Sequence, residues 1–146
     1  MTTLQVDALL NKQSGLKGIA GENDMRRLIA NAIAGDQTAE LAIEMYVYAV
    51  QKIIGAYSSQ LATLDALIFT GGIGENAALI RERVITPLKH LEFELNSTAN
   101  SSNGDENCRL ISSSGKSILV IRGDEEAFIA QKTADKNSEK AKSRTA

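Results

Sequence analysis

Apolar residues recur at helical spacing early in the chain. Met25, Leu28, Ile29, Ala32 and Ile33 share one face, which predicts a helix beginning at Met25. Asn23 or Asp24 stands where such a helix needs an N-cap, and Gly35-Asp36 both stops it and caps the next. Ahead of it, Leu4, Val6, Leu9 and Leu10 precede a loop punctuated by Gly15, Gly18 and Gly21. The following helix is predicted over 37–61, an unusually long run of helix formers. Its apolar positions (Leu41, Ile43, Met45, Val47, Val50, Ile53, Ile54, Tyr57, Leu61) nearly encircle the axis. A helix apolar on most sides must be covered on most sides, as the spine of a domain or as half of a subunit interface.

From residue 64 the pattern changes period. A short apolar run at 64–70, rich in β-favouring residues, predicts a buried strand. It stops at Gly71-Gly72, and a helix is expected over 75–85, ended by Pro87, the only proline. Residues 91–95 alternate with period two and predict a strand with one wet face. The Ser/Asn/Gly-rich segment 96–106 predicts a mobile loop, 108–111 a short strand, and Ser117–Ile121 a second buried strand. Asp124 then caps a last helix, with Glu125 and Glu126 in its first turn and Ala127, Phe128, Ile129 and Ala130 as its apolar face. From Lys132 the chain loses apolar periodicity, so 132–146 is expected to fray. Strands alternating with helices imply an α/β layer architecture with a mostly parallel core. Two buried strands are too few for a doubly covered sheet, so part of the sheet is expected to lie elsewhere.

Composition narrows the function. The chain has 146 residues, enough for one ordinary domain. A net charge of −2 and the absence of Trp argue against a nucleic-acid surface. With one histidine, His90, and one cysteine, Cys108, the sequence lacks the makings of a zinc site or a disulfide, and these two read as a surface histidine and an incidental loop thiol. No apolar run is long enough to cross a bilayer, and the N-terminus lacks a signal-peptide pattern, so the expected compartment is the cytoplasm. Without such a signal, the glycosylation triplets at Asn96 and Asn100 are read as chance.

Three constellations carry candidate chemistry. In the first, strand, Gly71-Gly72-Ile73-Gly74-Glu75-Asn76 and helix follow one another, the order that presents backbone N–H groups and a positive dipole end to a nucleotide. Gly72-x-Gly74-x-x-Ala77 also matches the dinucleotide fingerprint, with Glu92 about 20 residues on as a ribose partner. No Gly-Lys-Ser/Thr follows, so it is not a P-loop, and a simple tight turn is the bland alternative. The second is Gly21-Glu22-Asn23-Asp24-Met25-Arg26, where Arg26 at a helix start opposes the dipole, a broken local rule that points to a ligand. The third is Gly123-Asp124-Glu125-Glu126 at the end of a central strand, readable as ordinary capping or as hard oxygen donors for a magnesium–nucleotide.

In this order and spacing the three resemble the acetate kinase family, acyl kinases of the sugar-kinase, Hsp70 and actin superfamily (ribonuclease H-like). The match begins at Leu9-Leu10-Asn11-Lys12-Gln13-Ser14-Gly15-Leu16 and continues through Asn23-Asp24-Met25-Arg26 and Ile54-Gly55-Ala56-Tyr57. It is closest from Leu64 to Arg83 and resumes at Val120-Ile121, Glu125-Glu126 and Ile129-Ala130. The resemblance implies that 1–131 is the C-terminal nucleotide-binding portion of such an enzyme. Gly71, Gly72, Ile73, Gly74 and Asn76 would form the adenine pocket, Asp24, Met25 and Arg26 would contact the nucleoside, and Glu125 would act through magnesium. It implies ATP/ADP and Mg2+ as cofactors, a short carboxylate as phosphoryl acceptor, and a homodimer paired through this domain. Family members carry Pro-Thr-Asn before the Glu-Glu pair, where this chain has Arg122-Gly123-Asp124. The family protein is more than twice this length, with its phosphate hairpin, catalytic arginines and histidines upstream. The expectation is therefore a chain inactive alone and not stable as a monomer. A non-catalytic nucleotide-binding or interaction module and a dinucleotide-binding oxidoreductase fragment are the alternatives.

Overall fold

The computed structural model describes residues 1–102, 104 and 106–143, with the backbone alone for 137–143. Positions 103 and 105 of the expected loop, and the expected tail beyond Ser143, lie outside the described residues. The chain opens on two helices that the apolar pattern did not resolve, α1 (Thr3–Lys12) and α2 (Leu16–Ala20). Thr2 and Gln5 close a reciprocal capping box at the start of α1, which holds a helix with no buried residue. Helices α3 (Met25–Ile33) and α4 (Gln37–Ser58) begin at the expected caps: Asp24 Oδ1 accepts from Arg26 N at 2.9 Å, and Asp36 Oδ1 from Thr38 N at 2.8 Å.

Strand β1 (Ala66–Phe69) leads into α5 (Gly71–Asn76), α6 (Ala78–Ile85) and a 3-10 turn (Thr86–Leu91) that carries Pro87 in its first positions. Then come β2 (Phe93–Leu95), α7 (Ser97–Ser101), β3 (Cys108–Leu110), β4 (Ser112–Gly115), β5 (Ser117–Ile121) and α8 (Glu125–Ser143). Strand order is β1-β5-β3 in one sheet, with β2 and β4 forming a separate ribbon. Only β1 and β5 run parallel, from Ala66 opposite Ser117 to Phe69 opposite Val120; β3–β5 and β2–β4 are antiparallel. The expected mostly parallel core is corrected here: the chain from β3 to β5 is too short for a parallel crossover. Strand β1 is an edge among the described residues, which fits a sheet with further strands outside this chain.

Further segments take up structure that the local pattern did not resolve. Segment 96–106 is not all loop: Asn96 Oδ1 caps α7 by accepting from Ala99 N at 3.0 Å, and Asn100 is buried. Strand β4 is Ser-Ser-Ser-Gly, poor in β propensity, and forms because β2 pairs with it. Helix α8 continues past Lys132, and every described side chain on it is exposed.

Two apolar clusters meet around Phe69 and Leu91. One packs α4 (Ala39, Ala42, Ile43, Val47) against Met25 and Leu28 of α3 and Ile80 and Val84 of α6; the other gathers Ile85, Phe93, Ile111, Ile118 and Val120 beneath the sheet. Arg83 fixes α6 to α4 through a forked ion pair with Glu40 at 2.6 and 3.2 Å. The opposite face of α4 is bare: Leu41, Met45 and Tyr48 are about half exposed or more, as are Ile53 and Tyr57 further on. The encircling apolar pattern therefore exceeds what this chain covers.

Candidate functional site

The site is built where β1 and β5 end side by side. After Phe69 the chain turns at Gly71, whose φ of +71° strains any L side chain, and α5 starts at once. The glycines are thus the first turn of a six-residue helix and not a free loop. The N–H of Gly71, expected to be open to a ligand, donates to Glu75 Oε1 at 2.8 Å, and the same oxygen accepts from Gly123 N at 2.9 Å. Gly72 has open space where a Cβ would stand, while a Cβ on Gly74 would lie 3.3 Å from the carbonyl carbon of Phe69. Asn76 is oriented by its own helix, Nδ2 donating to Gly72 O at 2.9 Å.

Two clefts meet at Gly72. The first, about 670 Å³, lies between the start of α3 and α5 and is lined by Asp24, Met25, Arg26, Ile29, Gly72, Ile73 and Asn76. The second, about 970 Å³, lies between the start of α5 and the β5–α8 turn and is lined by Thr70, Gly71, Gly72, Glu75, Arg122 and the run from Gly123 to Glu126. The three constellations, far apart in sequence, therefore line two adjoining clefts that share Gly72 and together form the groove considered below. Of the residues that the resemblance assigns to the nucleotide and magnesium, Gly74 alone lines neither cleft; it is small because the helix lies against β1.

Arg26 is exposed, and its guanidinium grips Asp24 through Nε at 3.1 Å and Nη2 at 2.6 Å. That grip, with the Arg26 backbone N–H, pulls the Asp24 carboxyl down from 3.8 to about 2, and the guanidinium is raised in turn. Glu22 is lowered by the N–H groups of Asp24 and Asn23 and by Arg27, its ion-pair partner at 2.9 Å. The cation that opposes the helix dipole is thus neutralised by the cap itself, and it lies on the rim of the first cleft.

Sequence reasoning missed the residue that supports α5. Arg81 is wholly buried. Its Nη1 donates to Gly74 O at 2.8 Å and Glu75 O at 2.9 Å, its Nε to Asn100 Oδ1 at 2.7 Å and its Nη2 to Asn100 O at 2.6 Å. Asn100 Nδ2 donates onward to Ala78 O at 3.0 Å. Burial lowers the Arg81 pKa from its ordinary value, and neighbouring Arg109 adds to the effect. A helix-compatible Arg in a charged stretch carries no local signal of burial, and neither does a polar Asn-Ser segment.

On the far side, Asp124 Oδ1 caps α8 by accepting from Ala127 N at 2.9 Å, leaving Glu125 and Glu126 at the cleft. Among the described residues no three His, Cys, Asp or Glu side chains are grouped to hold a metal ion. Glu125 fits magnesium by donor chemistry, since that ion is ordinarily held by one or two carboxylates together with phosphates and water. Cys108 is exposed on β3 and edges the second cleft, so it is a strand residue and not a loop thiol. His90 is exposed and bonds Pro87 O at 3.2 Å. Glu92, the candidate ribose partner, pairs with Lys116 at 3.1 Å and lines neither cleft, which removes the geometric support for a dinucleotide site.

Residues 1–131 match the sequence model of the acetokinase family, and the chain belongs to that family. It is 47% identical over 133 residues to an acetate kinase of Sulfurovum sp., covering 88% of this chain and 33% of that protein. It is 41% identical over 136 residues to an acetate kinase of Methanosarcina acetivorans, covering 92% and 33%. The crystal structure of a propionate kinase from Francisella tularensis superposes with a TM-score of 0.81 at 43% identity, over 90% of this chain and 33% of that one. Acetate kinase from Porphyromonas gingivalis gives 0.82 at 32% identity, over 92% and 34%. The fold is accordingly a partial α/β domain of the actin, Hsp70 and sugar-kinase class, and the chain spans about a third of the length of the relatives it matches.

Proposed function

We propose that the groove binds an adenine nucleotide, ATP or ADP, as the nucleotide-side part of an acyl kinase that passes the γ-phosphoryl of ATP to a short carboxylate, giving an acyl phosphate and ADP. The observation that carries this is Gly72, which has open space where a side chain would stand and lies where the two clefts meet. In this reading Ile73, Asn76, Gly71 and the Asp24-Met25-Arg26 turn receive the nucleoside, with Gly74 setting the helix against the strand. The phosphates lie toward Gly123 and Glu125. Glu125 would hold magnesium together with the phosphates, and the ion would supply charge neutralisation at the transferring group. The chain spans about a third of its relatives' length, so in this reading the acceptor is bound by a part of the enzyme outside these residues, and the chain alone is inactive.

The compartment proposed is the cytoplasm, as expected of an acetate kinase relative. Homodimerisation is proposed through the bare face of α4, where Leu41, Met45 and Tyr48 form an exposed apolar stripe. The nucleotide reading is tested by titrating the chain with a fluorescent ADP in Mg2+, with NAD as the comparison. ADP binding is expected, and Gly72→Val is expected to abolish it while leaving the circular dichroism spectrum unchanged, because the protein itself leaves room for the side chain. An undiminished signal in Gly72→Val, or equal binding of NAD, would refute the site.

A further inference from the structure

We infer that Glu75 is a positioning residue that holds the two walls of the groove, the Gly71 turn and the Gly123 turn, in register so that one ligand can span both. This rests on the reading of the groove as a nucleotide site. One carboxylate oxygen, Oε1, accepts the N–H of Gly71 at 2.8 Å and the N–H of Gly123 at 2.9 Å, the latter 48 residues from Glu75 in sequence. The main chain of Glu75 is fixed separately: its carbonyl accepts from Arg81 Nη1 at 2.9 Å and from Arg109 Nη2 at 3.4 Å. Glu75 is therefore anchored at its backbone while its side chain reaches across the groove floor. At Gly123 an added Cβ would stand in ordinary contact, 3.6 Å, with both Glu75 Oε1 and Thr70 Oγ1.

The bridge acts on the turns and not on the sheet. Strands β1 and β5 are already paired from Ala66–Ser117 to Phe69–Val120, so the strands stay together without Glu75. Beyond Phe69 and Ile121 no ladder bond continues, and the two turns are tied by this carboxylate oxygen. Both turn N–H groups are near solvent, so water can satisfy them if the carboxylate is lost, and stability changes little. What is lost is the fixed distance between the base side and the phosphate side. A charged acceptor shared by two N–H groups is also among the stronger hydrogen-bond arrangements available.

The test compares two ligands on the whole chain: adenosine, which fills the base side alone, and Mg-ADP, which must reach both turns. Glu75→Ala is expected to weaken Mg-ADP on the order of tenfold and adenosine less than about twofold. Glu75→Gln keeps an amide oxygen at the same reach and is expected to recover most of the Mg-ADP affinity. Glu75→Asp, one methylene shorter, should behave like Ala, which keeps the comparison decisive if the Ala variant folds badly. Hydrogen exchange at the Gly71 and Gly123 amides should speed up together in Ala and Asp but not in Gln. Equal weakening of both ligands, or unchanged exchange at the two glycines, would overturn the proposal. A wild-type chain that binds neither ligand would instead overturn the nucleotide reading on which it rests.

Discussion

Replacing Arg81 with alanine is the most informative perturbation of this fold. The guanidinium is wholly buried and makes four hydrogen bonds, to Gly74 O, Glu75 O, Asn100 Oδ1 and Asn100 O, at 2.6 to 2.9 Å. Hydrogen bonds to a charged group are worth about 1.5–3 kcal/mol each, so four at the low end give about 6 kcal/mol. Rehydrating the cation in the unfolded chain returns several kcal/mol of this. The two Asn100 acceptors left behind are buried and the Gly74 and Glu75 carbonyls part-buried, however, and the lost aliphatic stem opens a cavity. The expected net loss is about 3–5 kcal/mol, a large share of the roughly 5–15 kcal/mol that holds a domain together. Lysine keeps the charge but not the fork and should recover only part of it. Urea and thermal denaturation followed by circular dichroism, at fixed protein concentration, measure the effect; a drop of about 10 °C in Tm corresponds to this range. Asn100→Ala completes a double-mutant cycle, in which a coupling above about 1 kcal/mol is expected. A loss below about 1 kcal/mol for Arg81→Ala, or simple additivity with Asn100→Ala, would refute the idea that this buried cation organises α5 and α7.

Three further outcomes are expected. The Asp24 carboxyl, held down from 3.8 to about 2 by Arg26, contributes stability that is complete above about pH 4 and is lost as pH falls through 2; carboxyl NMR should show that low midpoint, moving up in Arg26→Ala, and an ordinary midpoint in the wild type would refute the pairing. The chain alone should form no acyl phosphate from ATP and acetate, because the groove supplies one side of the reaction and each missing stabilising group costs on the order of 10²–10³ in rate; turnover near about 1 s⁻¹ would contradict this. Light scattering at micromolar concentration should give twice the 15.7 kDa chain mass, and Met45→Asp with Tyr48→Asp should shift the species toward monomer; a wild-type 15.7 kDa species that unfolds cooperatively would refute pairing through α4.

The sequence by itself determined those parts of the protein whose causes lie within a few residues. The caps at Asp24, Asp36 and Asp124 start helices where expected, because a side-chain oxygen two or three residues from an N–H needs no help from the rest of the chain. Strands β1 and β5 were legible from their β-branched, apolar runs, and the family resemblance was legible from the run around Gly71–Asn76. Tertiary structure decided the rest. That the glycine run is itself a helix depends on Arg81, which holds the Gly74 and Glu75 carbonyls at its far end. That 96–106 contains α7 depends on Asn100 meeting Arg81, and β4 exists because β2 offers it a partner. That Asp24, Gly72 and Glu125 border one groove depends on α3 packing on α4, α4 on α6, and β1 beside β5. Local pattern records the preferences of neighbours in sequence. A buried cation with carbonyl partners, a polar strand and a shared cleft are set by residues tens of positions apart, whose attraction appears only once the core has brought them together.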